Sequence, residues 1–319
     1  MISGAGVTVI VPLRNEASSF DALHRSIEAQ RRPADAVILV DAGSTDTTLD
    51  LARAACSTKA HWQVIEAGPA TPGRARNVGI EAATTDWVAL TDAGIVLDRF
   101  WLDRLARFVD ADPALDVVYG SYEAAPGSWF TDCAALVYVS PASASAVGPI
   151  RDRSVASCLL RRELWARAGG FPDLRAAEDR IFLRHIDELH AQVAVSAEAT
   201  VWWQLQPNLR STFRRFRTYS RVNVLAAEQR YWHHRVRQMY VVTAIFASLA
   251  RLHDRRWLIV PVSAAFLRAG RGIWTRRQGR PTRWALNPAR LLTTLGITLT
   301  IDAATFTGWI EATVERSVA

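Results

Sequence analysis

Apolar residues in the first two thirds of the chain come in short bursts, most of which end on a polar residue or an acid. Val7-Thr8-Val9-Ile10-Val11-Pro12 closes on a proline and the polar turn Arg14-Asn15-Glu16. Ala36 to Asp41 closes on an acid, Trp62 to Ala67 follows, and Trp87-Val88-Ala89-Leu90 runs into Thr91-Asp92-Ala93-Gly94. Val117 to Gly120, Val155 to Leu160 and Gln192 to Trp203 complete the set. Continuous apolar runs of this length predict strands covered on both faces. Between them, apolar positions three and four apart predict amphipathic helices. Ser18 to Gln30 is one, with Phe20, Leu23 and Ile27 on one face. Others end at Ala55, open at Arg74, and cover Asp98 to Val109, Glu163 to Ala168 and Glu178 to Leu189. Strands alternate with helices at roughly 25-residue spacing, as βαβ units require. The predicted fold class is therefore α/β, with a mostly parallel central sheet.

Two stretches depart from this rhythm. Ala124 to Arg153 is a long connection in which Trp129 to Val139 reads as a helix and Ser140 to Pro149 as a mobile Ser/Ala/Pro segment. After Trp202-Trp203, Asn208 to Glu228 reads as a basic helix, followed by apolar runs over Met239–Leu252, Trp257–Leu267 and Leu291–Ile310. The pattern divides the chain into a first domain over 1–228 and a helical region over 229–319. A span needs about 20 apolar residues, and shorter runs suit interfacial or core helices.

Composition sharpens that division. The 319 residues are half hydrophobic and carry a net charge of +7. Residues 207–319 hold 19 Arg and 5 acids, a balance of +14, which leaves −7 for the front. Trp232, Trp257, Trp274, Trp284 and Trp309 recur beside arginines in the tail, as in an interfacial aromatic belt. The expected partner of the tail is an anionic membrane surface on its cytoplasmic face, met by peripheral or monotopic helices with 291–310 as a candidate span. The alternative is a helical bundle packed on the first domain or in a homodimer. No basic patch interleaved with aromatics marks the front half, so nucleic acid is not an expected partner. Cys56, Cys133 and Cys158 show no CxxC spacing and fit a reducing compartment. The N-terminus shows no apolar leader, so no signal peptide is expected.

The candidate chemistry lies at the ends of the predicted strands. Parallel strands put Asp41, Asp46, Arg74, Arg76 and Asp92 on one sheet edge, where open α/β sheets bind ligands. Carboxylates there can take ribose hydroxyls, base N–H groups or a metal, and arginines at a helix start can meet phosphates. No GxGxxG follows the first strand and no GxxxxGK[ST] occurs, which disfavours a dinucleotide site and excludes a P-loop.

VTVIVPLRNE, LVDAGSTDTT, GRARNVGI and DWVALTDAG, in that order, resemble the nucleotide-binding half of family 2 glycosyltransferases, which have the Rossmann-like GT-A fold. Gly169-Gly170-Phe171 and Ala177-Glu178-Asp179 resemble that family's GGF and ED elements. The resemblance covers about residues 7 to 225. It implies that Pro12, Asn15, Glu16, Asp41 and Asp46 hold the base and ribose and that Arg74 and Arg76 face the diphosphate. Arg14, Ser44, Asn77, Thr91 and Ala93 would complete the nucleotide-sugar site. Asp92 would be the first acid of the metal-binding DxD motif, and Asp179, beside Glu178, the catalytic base. The second acid of that motif is replaced by Gly94, as in relatives that read TDAG. One carboxylate with two phosphates and water can still complete an octahedral Mg²⁺ or Mn²⁺.

The implied function is inverting transfer of a sugar from a nucleotide-diphosphate donor to a hydroxyl acceptor. That acceptor would be lipid-linked or a growing glycan, as in cell envelope polysaccharide. Two other classes stay open. A nucleotidyltransferase shares the α/β core but wants a Gly-rich basic loop where this chain has Leu13-Arg14-Asn15-Glu16. A catalytically silent membrane scaffold would keep the fold without turnover.

Overall fold

Alternate residues along the strands face opposite sides of the sheet, and both sides are buried. In the computed structural model, which describes residues 5–145, 148–228 and 233–318, the first strand is β1 (Val7–Leu13). Val7, Val9, Val11 and Leu13 point into one apolar cluster and Ile10 into another. The next strand, β2 (Ala36–Asp41), repeats this with Val37 and Leu39 on one face and Ile38 and Val40 on the other. Helices must therefore cover both faces. The first cluster is closed by α1 (Ala17–Glu28), α2 (Thr48–Ser57) and α4 (Trp101–Ala111). The second is closed by α3 (Pro72–Ala82), α6 (Arg162–Arg167) and α7 (Glu178–Glu188). The other strands of this unit are β3 (Trp62–Glu66), β4 (Trp87–Leu90), β5 (Ile95–Leu97), β6 (Val117–Ala124), the pair β7 (Ser143–Ser145) and β8 (Gly148–Ile150), β9 (Cys158–Arg161) and β10 (Val193–Trp203).

Eight strands form one sheet in the order β3-β2-β1-β4-β9-β6-β10-β5. The β1–β2, β1–β4, β2–β3 and β6–β10 pairs are parallel. The β4–β9, β6–β9 and β5–β10 pairs are antiparallel. The sheet is therefore mixed, with its parallel half carrying the acid-terminated strands. Register fixes the functional edge: Leu13 pairs with Asp41, and Ile10 with Leu90. The segments after β1, β2 and β4 thus leave the sheet on the same side.

Local differences from the sequence expectation have simple causes. The expected strand start at Val155 is a short 3-10 turn, with the strand itself beginning at Cys158. The expected helix start at Asp98 moves to Trp101, because Asp98 caps the turn by accepting from Phe100 N at 3.0 Å. The segment expected to be mobile holds the β7–β8 hairpin, in which Ser143 pairs with Ile150; residues 146–147 lie outside the described residues.

By packing, the chain forms two compact units, one of residues 1–125 and 142–204, the other of residues 126–141 and 205–319. The second unit is helical: α5 (Trp129–Tyr138), α8 (Leu209–Leu225), α9 (His233–Leu252), α10 (Ile259–Thr275), α11 (Thr282–Ala285) and α12 (Pro288–Val318). The basic helix expected at the end of a 1–228 domain, α8, thus groups with the C-terminal helices. The α12 helix lies closely along it, since a Cβ at Gly308 would come within 2.2 Å of Arg217 O. Ser220 Oγ donates to Thr305 O at 2.6 Å, and Arg217 and Arg221 pair with Glu311 and Glu315. Asp302, fully buried midway along α12, accepts from both Nη atoms of Arg268 and from the Tyr240 hydroxyl. Among the described residues, α12 is the one helix long and apolar enough to cross a membrane, and 44% of its apolar window is buried within the protein.

Candidate active site

The edge where β1, β2 and β4 end gathers the chemistry-bearing residues of the first unit. Asp41 closes β2 and is 3% exposed. Its Oδ2 accepts from the backbone N–H of Gly43 and Ser44, both at 3.0 Å, while its Oδ1 is buried with no partner. A buried carboxylate oxygen with no donor is costly and marks a place for a ligand N–H or O–H. Asn15 adopts the left-handed conformation (φ 55°), and its Oδ1 accepts from Thr45 N at 2.7 Å. Asn15 N donates to Ser44 Oγ at 3.0 Å. The loops after β1 and β2 are thereby tied together. Asp46 is exposed and works within the scaffold: it accepts from Thr48 Oγ1 and N and from Ala17 N. The Thr48 hydroxyl, and then the backbone donors, hold its carboxyl below the usual range. Glu16 accepts from the Ser19 hydroxyl at 2.6 Å at the start of α1. Pro12 is half-buried on β1, and the exposed Arg14 reaches Ala70 O at 3.4 Å.

The α3 helix supplies the cations. Its N-cap is Thr71, whose Oγ1 accepts from Arg74 N at 3.2 Å and donates to Asp173 Oδ1 at 2.6 Å. The Arg74 side chain is exposed and has no ion pair among the described residues. Arg76, two residues on, turns inward and is 4% exposed. It donates from Nη2 to Asp92 Oδ1 at 2.5 Å and from Nη1 to Glu178 Oε1 at 2.8 Å. Burial alone would lower the Arg76 pKa, but the two carboxylates hold it well above the ordinary value. Thr91, beside Asp92, is fully buried with an unpartnered hydroxyl. Ala93 packs against the first apolar cluster, and Gly94 turns the chain at φ +76°.

Asn77 acts on a loop. Its Oδ1 accepts from Phe171 N at 2.8 Å and Trp165 Nε1 at 3.0 Å, and its Nδ2 donates to Phe171 O at 2.8 Å. The loop turns through Gly169 and Gly170, both at positive φ, a region that favours glycine. It comes so near α3 that a Cβ at Gly73 would lie 2.1 Å from Pro172 O. Phe171 stacks on Phe182 at 4.0 Å and lies under the Arg76 guanidinium. Ala177 is left-handed at φ 69° without being glycine, a strained position of the kind that clusters at functional sites. The α7 helix begins immediately after it. Glu178 is 6% exposed, and burial raises its pKa more than Arg76 lowers it. Asp179 is half-buried and, among the described residues, accepts only a local bond, from Arg180 N at 2.8 Å.

The structure thus brings Arg76, Asp92 and Glu178 into one carboxylate–guanidinium–carboxylate chain. Asp41, Asn15 and Ser44 form a second group at the neighbouring strand ends. Sequence reading missed Thr71 and Asp173, and took Phe171 only as part of the GGF element, without its contact to Arg76; the Thr-Pro pair at 71–72 is a helix-start signal that could have drawn attention to Thr71. No group of three His, Cys, Asp or Glu side chains converges on a metal position among the described residues. Asp92 Oδ1 is held by Arg76, while its side chain stays 34% exposed. Such a donor set suits a hard cation that takes most of its ligands from phosphates and water.

Comparison with known proteins bears on this geometry. Residues 8–164 match the family model for glycosyl transferase family 2. A stretch of 112 residues is 38% identical to the pre-mycofactocin glycosyltransferase of Mycobacterium tuberculosis, covering 34% of this chain and 22% of that protein. Another of 87 residues is 33% identical to the uncharacterized glycosyltransferase YibD of Escherichia coli, covering 27% of this chain and 25% of that one. The match therefore spans a quarter or less of these relatives' length. Among solved structures, the mannosyltransferase PcManGT from Pyrobaculum calidifontis, in complex with GDP-Man and Mn²⁺, superposes with a TM-score of 0.56 at 20% identity. That alignment covers 98% of this chain and 88% of the other. TarS 1-349 of S. aureus in complex with UDP-GlcNAc gives 0.51 at 16% identity, over 95% and 91%. These likenesses show a GT-A fold.

Proposed function

We propose, from the premise that this chain carries a glycosyltransferase family 2 domain, that it is an inverting enzyme using a nucleotide-diphosphate sugar. The observation that carries the reading is the pairing of two unmet demands on one sheet edge. Among the described residues, Asp41 keeps a buried oxygen without a donor, and Arg74 keeps an exposed cation without an acid. A nucleoside diphosphate meets both, its base or ribose at Asp41 and its phosphates at Arg74. Solved structures in complex with GDP-Man and with UDP-GlcNAc share the fold.

In this reading the acceptor hydroxyl gives its proton to Asp179 as its oxygen attacks the anomeric carbon. The bond from that carbon to the diphosphate oxygen breaks, a new glycosidic bond forms with inversion, and the nucleoside diphosphate leaves. Arg74 stabilises the charge that builds on it. Asp92 would hold Mg²⁺ or Mn²⁺ through the carboxylate oxygen not bound to Arg76, and the cation would supply Lewis-acid stabilisation of the same diphosphate. Arg76 fixes Asp92 against the start of α7, and Glu178 anchors that helix while Asp179 faces the donor. The family match favours glycosyl transfer over the nucleotidyltransferase and the silent scaffold.

A panel of nucleotide sugars, with and without Mn²⁺, tests the reading by thermal unfolding. A donor at 100 times its dissociation constant adds about 2.7 kcal/mol, so the midpoint should rise for one base and stay flat for the others. A flat response to every nucleotide sugar would remove the donor site. Membrane association is proposed on a separate observation: Val241, Ile245, Leu252, Ile259, Val262 and Leu267 on α9 and α10 are 52–75% exposed. With the +14 charge of residues 207–319, they suit in-plane docking on an anionic bilayer. Buried, ion-paired Asp302 argues for a bundle role for α12 over a span. The full chain should sediment with anionic vesicles and be released only in part by salt; protein left in the supernatant at low salt would favour the homodimer or bundle.

A further inference from the structure

The tail's tryptophans and arginines meet each other within the helical unit. Arg290, in the first turn of α12, lies 4.5 Å from the Trp129 ring and 3.8 Å from the Trp284 ring. Arg280 lies 4.5 Å from that same Trp284 ring. Trp129, Arg290, Trp284 and Arg280 therefore follow one another as a stack. The Trp129 ring is fixed by its Nε1, which donates to Thr293 Oγ1 at 3.2 Å.

Stacking satisfies the faces of a guanidinium and leaves its in-plane N–H groups needing acceptors. Arg290 is 6% exposed, and its Nε and Nη1 are buried with no partner among the described residues. An unpaired charge at that depth is costly unless an anion accompanies it. The other acids of the unit are committed elsewhere: Asp302 to Arg268, Glu311 to Arg217, Glu315 to Arg221, Asp254 to the turn at Arg256, and Glu228 to a partner other than Arg290. Asp132, on α5 with Trp129, makes no ion pair with Arg290 among the described residues. A second cation on the Trp284 ring and the positive N-terminal end of a 31-residue helix raise the local demand further.

We propose that Arg290 and Arg280, braced by Trp129 and Trp284, form a binding site for a phosphate group. Arginine edges read phosphate oxygens through paired N–H donors, and Arg290 is held by a ring on each side and Arg280 by one ring. Leu286 and Leu292 beside them are 71% and 59% exposed, which suits a phosphate carried on a lipid as well as a free one. The proposal stands without the glycosyl-transfer reading.

The test uses the full chain, inorganic phosphate against sodium chloride of equal ionic strength, and phosphatidylglycerol against phosphatidylcholine vesicles. Unfolding midpoints and vesicle sedimentation are read for the wild type, Arg290→Gln, Arg280→Gln and the control Arg221→Gln, whose arginine pairs with Glu315. A saturable response to phosphate or phosphatidylglycerol is expected in the wild type and the control, at least tenfold weaker in affinity in the other two variants. A phosphate response without vesicle selectivity assigns a soluble ligand. Selectivity for phosphatidylglycerol that free phosphate competes away assigns a lipid headgroup. Exposed Arg280 keeps the test decisive if Arg290→Gln fails to fold. Equal responses in all four proteins, or no response in any, would make the stack a structural brace and overturn the proposal. Nucleotide binding in the same samples is scored separately, so failure of the donor reading leaves this result intact.

Discussion

Asp179→Asn is expected to cut sugar transfer by about 10²–10⁴-fold, the usual contribution of a positioned base, while leaving donor affinity unchanged. Neighbouring helical residues project about 100° apart, so Glu178 and Asp179 cannot share one task. Glu178 is buried against Arg76, whereas Asp179 is half-buried and bonded only to the backbone beside it. A base has to reach an acceptor and return its proton, which a buried, ion-paired carboxylate does poorly. Glu178→Gln should therefore act mainly through stability and lower turnover less. Initial rates with donor binding measured separately decide the matter. Near-normal turnover in Asp179→Asn with a dead Glu178→Gln would reverse the two roles, and full activity in both would remove the base from this helix.

Much of the edge that holds these residues was legible in the chain. Strands ending in Asp41 and Asp92 announce themselves, because a parallel strand buried on both faces leaves a continuous apolar run and an abrupt polar stop. Strand direction was not legible in the same way. Antiparallel β9 sits between β4 and β6, a non-local choice that leaves no local signature. The three-residue β5 is too short to show a period. Arg76 was read as a cation facing a diphosphate, as an arginine at a helix start invites. Its burial depends on Asp92 and on Glu178, 16 and 102 positions away. Only the fold could bring the second of these into contact. Likewise, the arginine–tryptophan recurrence of the tail looked like an interfacial belt, and part of it makes contacts within the chain: Arg237 lies on Trp309, Arg277 on Trp274, and Arg280 and Arg290 on Trp284.

Arg76→Met should destabilise the first unit by about 3–5 kcal/mol at pH 7, the cost of removing one member of a buried ionic group and leaving the rest unpaired. The loss should depend on pH with a definite sign. Glu178 has a raised pKa in the folded protein, first from burial and only in part offset by Arg76. A raised carboxyl pKa means that the folded state holds the proton more tightly than the unfolded chain. This group's contribution is therefore fully present at low pH and lost as pH rises through its folded pKa. Taking away Arg76 removes the largest influence lowering that pKa and moves the loss to higher pH. The deficit of Arg76→Met should hence be greatest at neutral pH and shrink as the solution is acidified toward the point where Glu178 is protonated. Arg76→Lys should recover only part of the stability, because one ammonium cannot present the planar fork that reaches both Asp92 and Glu178. In the double variant Arg76→Met/Glu178→Gln the neutral-pH penalty should fall well below the sum of the single losses. Urea unfolding of the wild type, Arg76→Met, Arg76→Lys, Glu178→Gln and the double variant across pH 5–8 reads all of this directly. A deficit that grows on acidification, or additive losses in the double variant, would mean that the Arg76–Glu178 pair does not couple α3 to the start of α7.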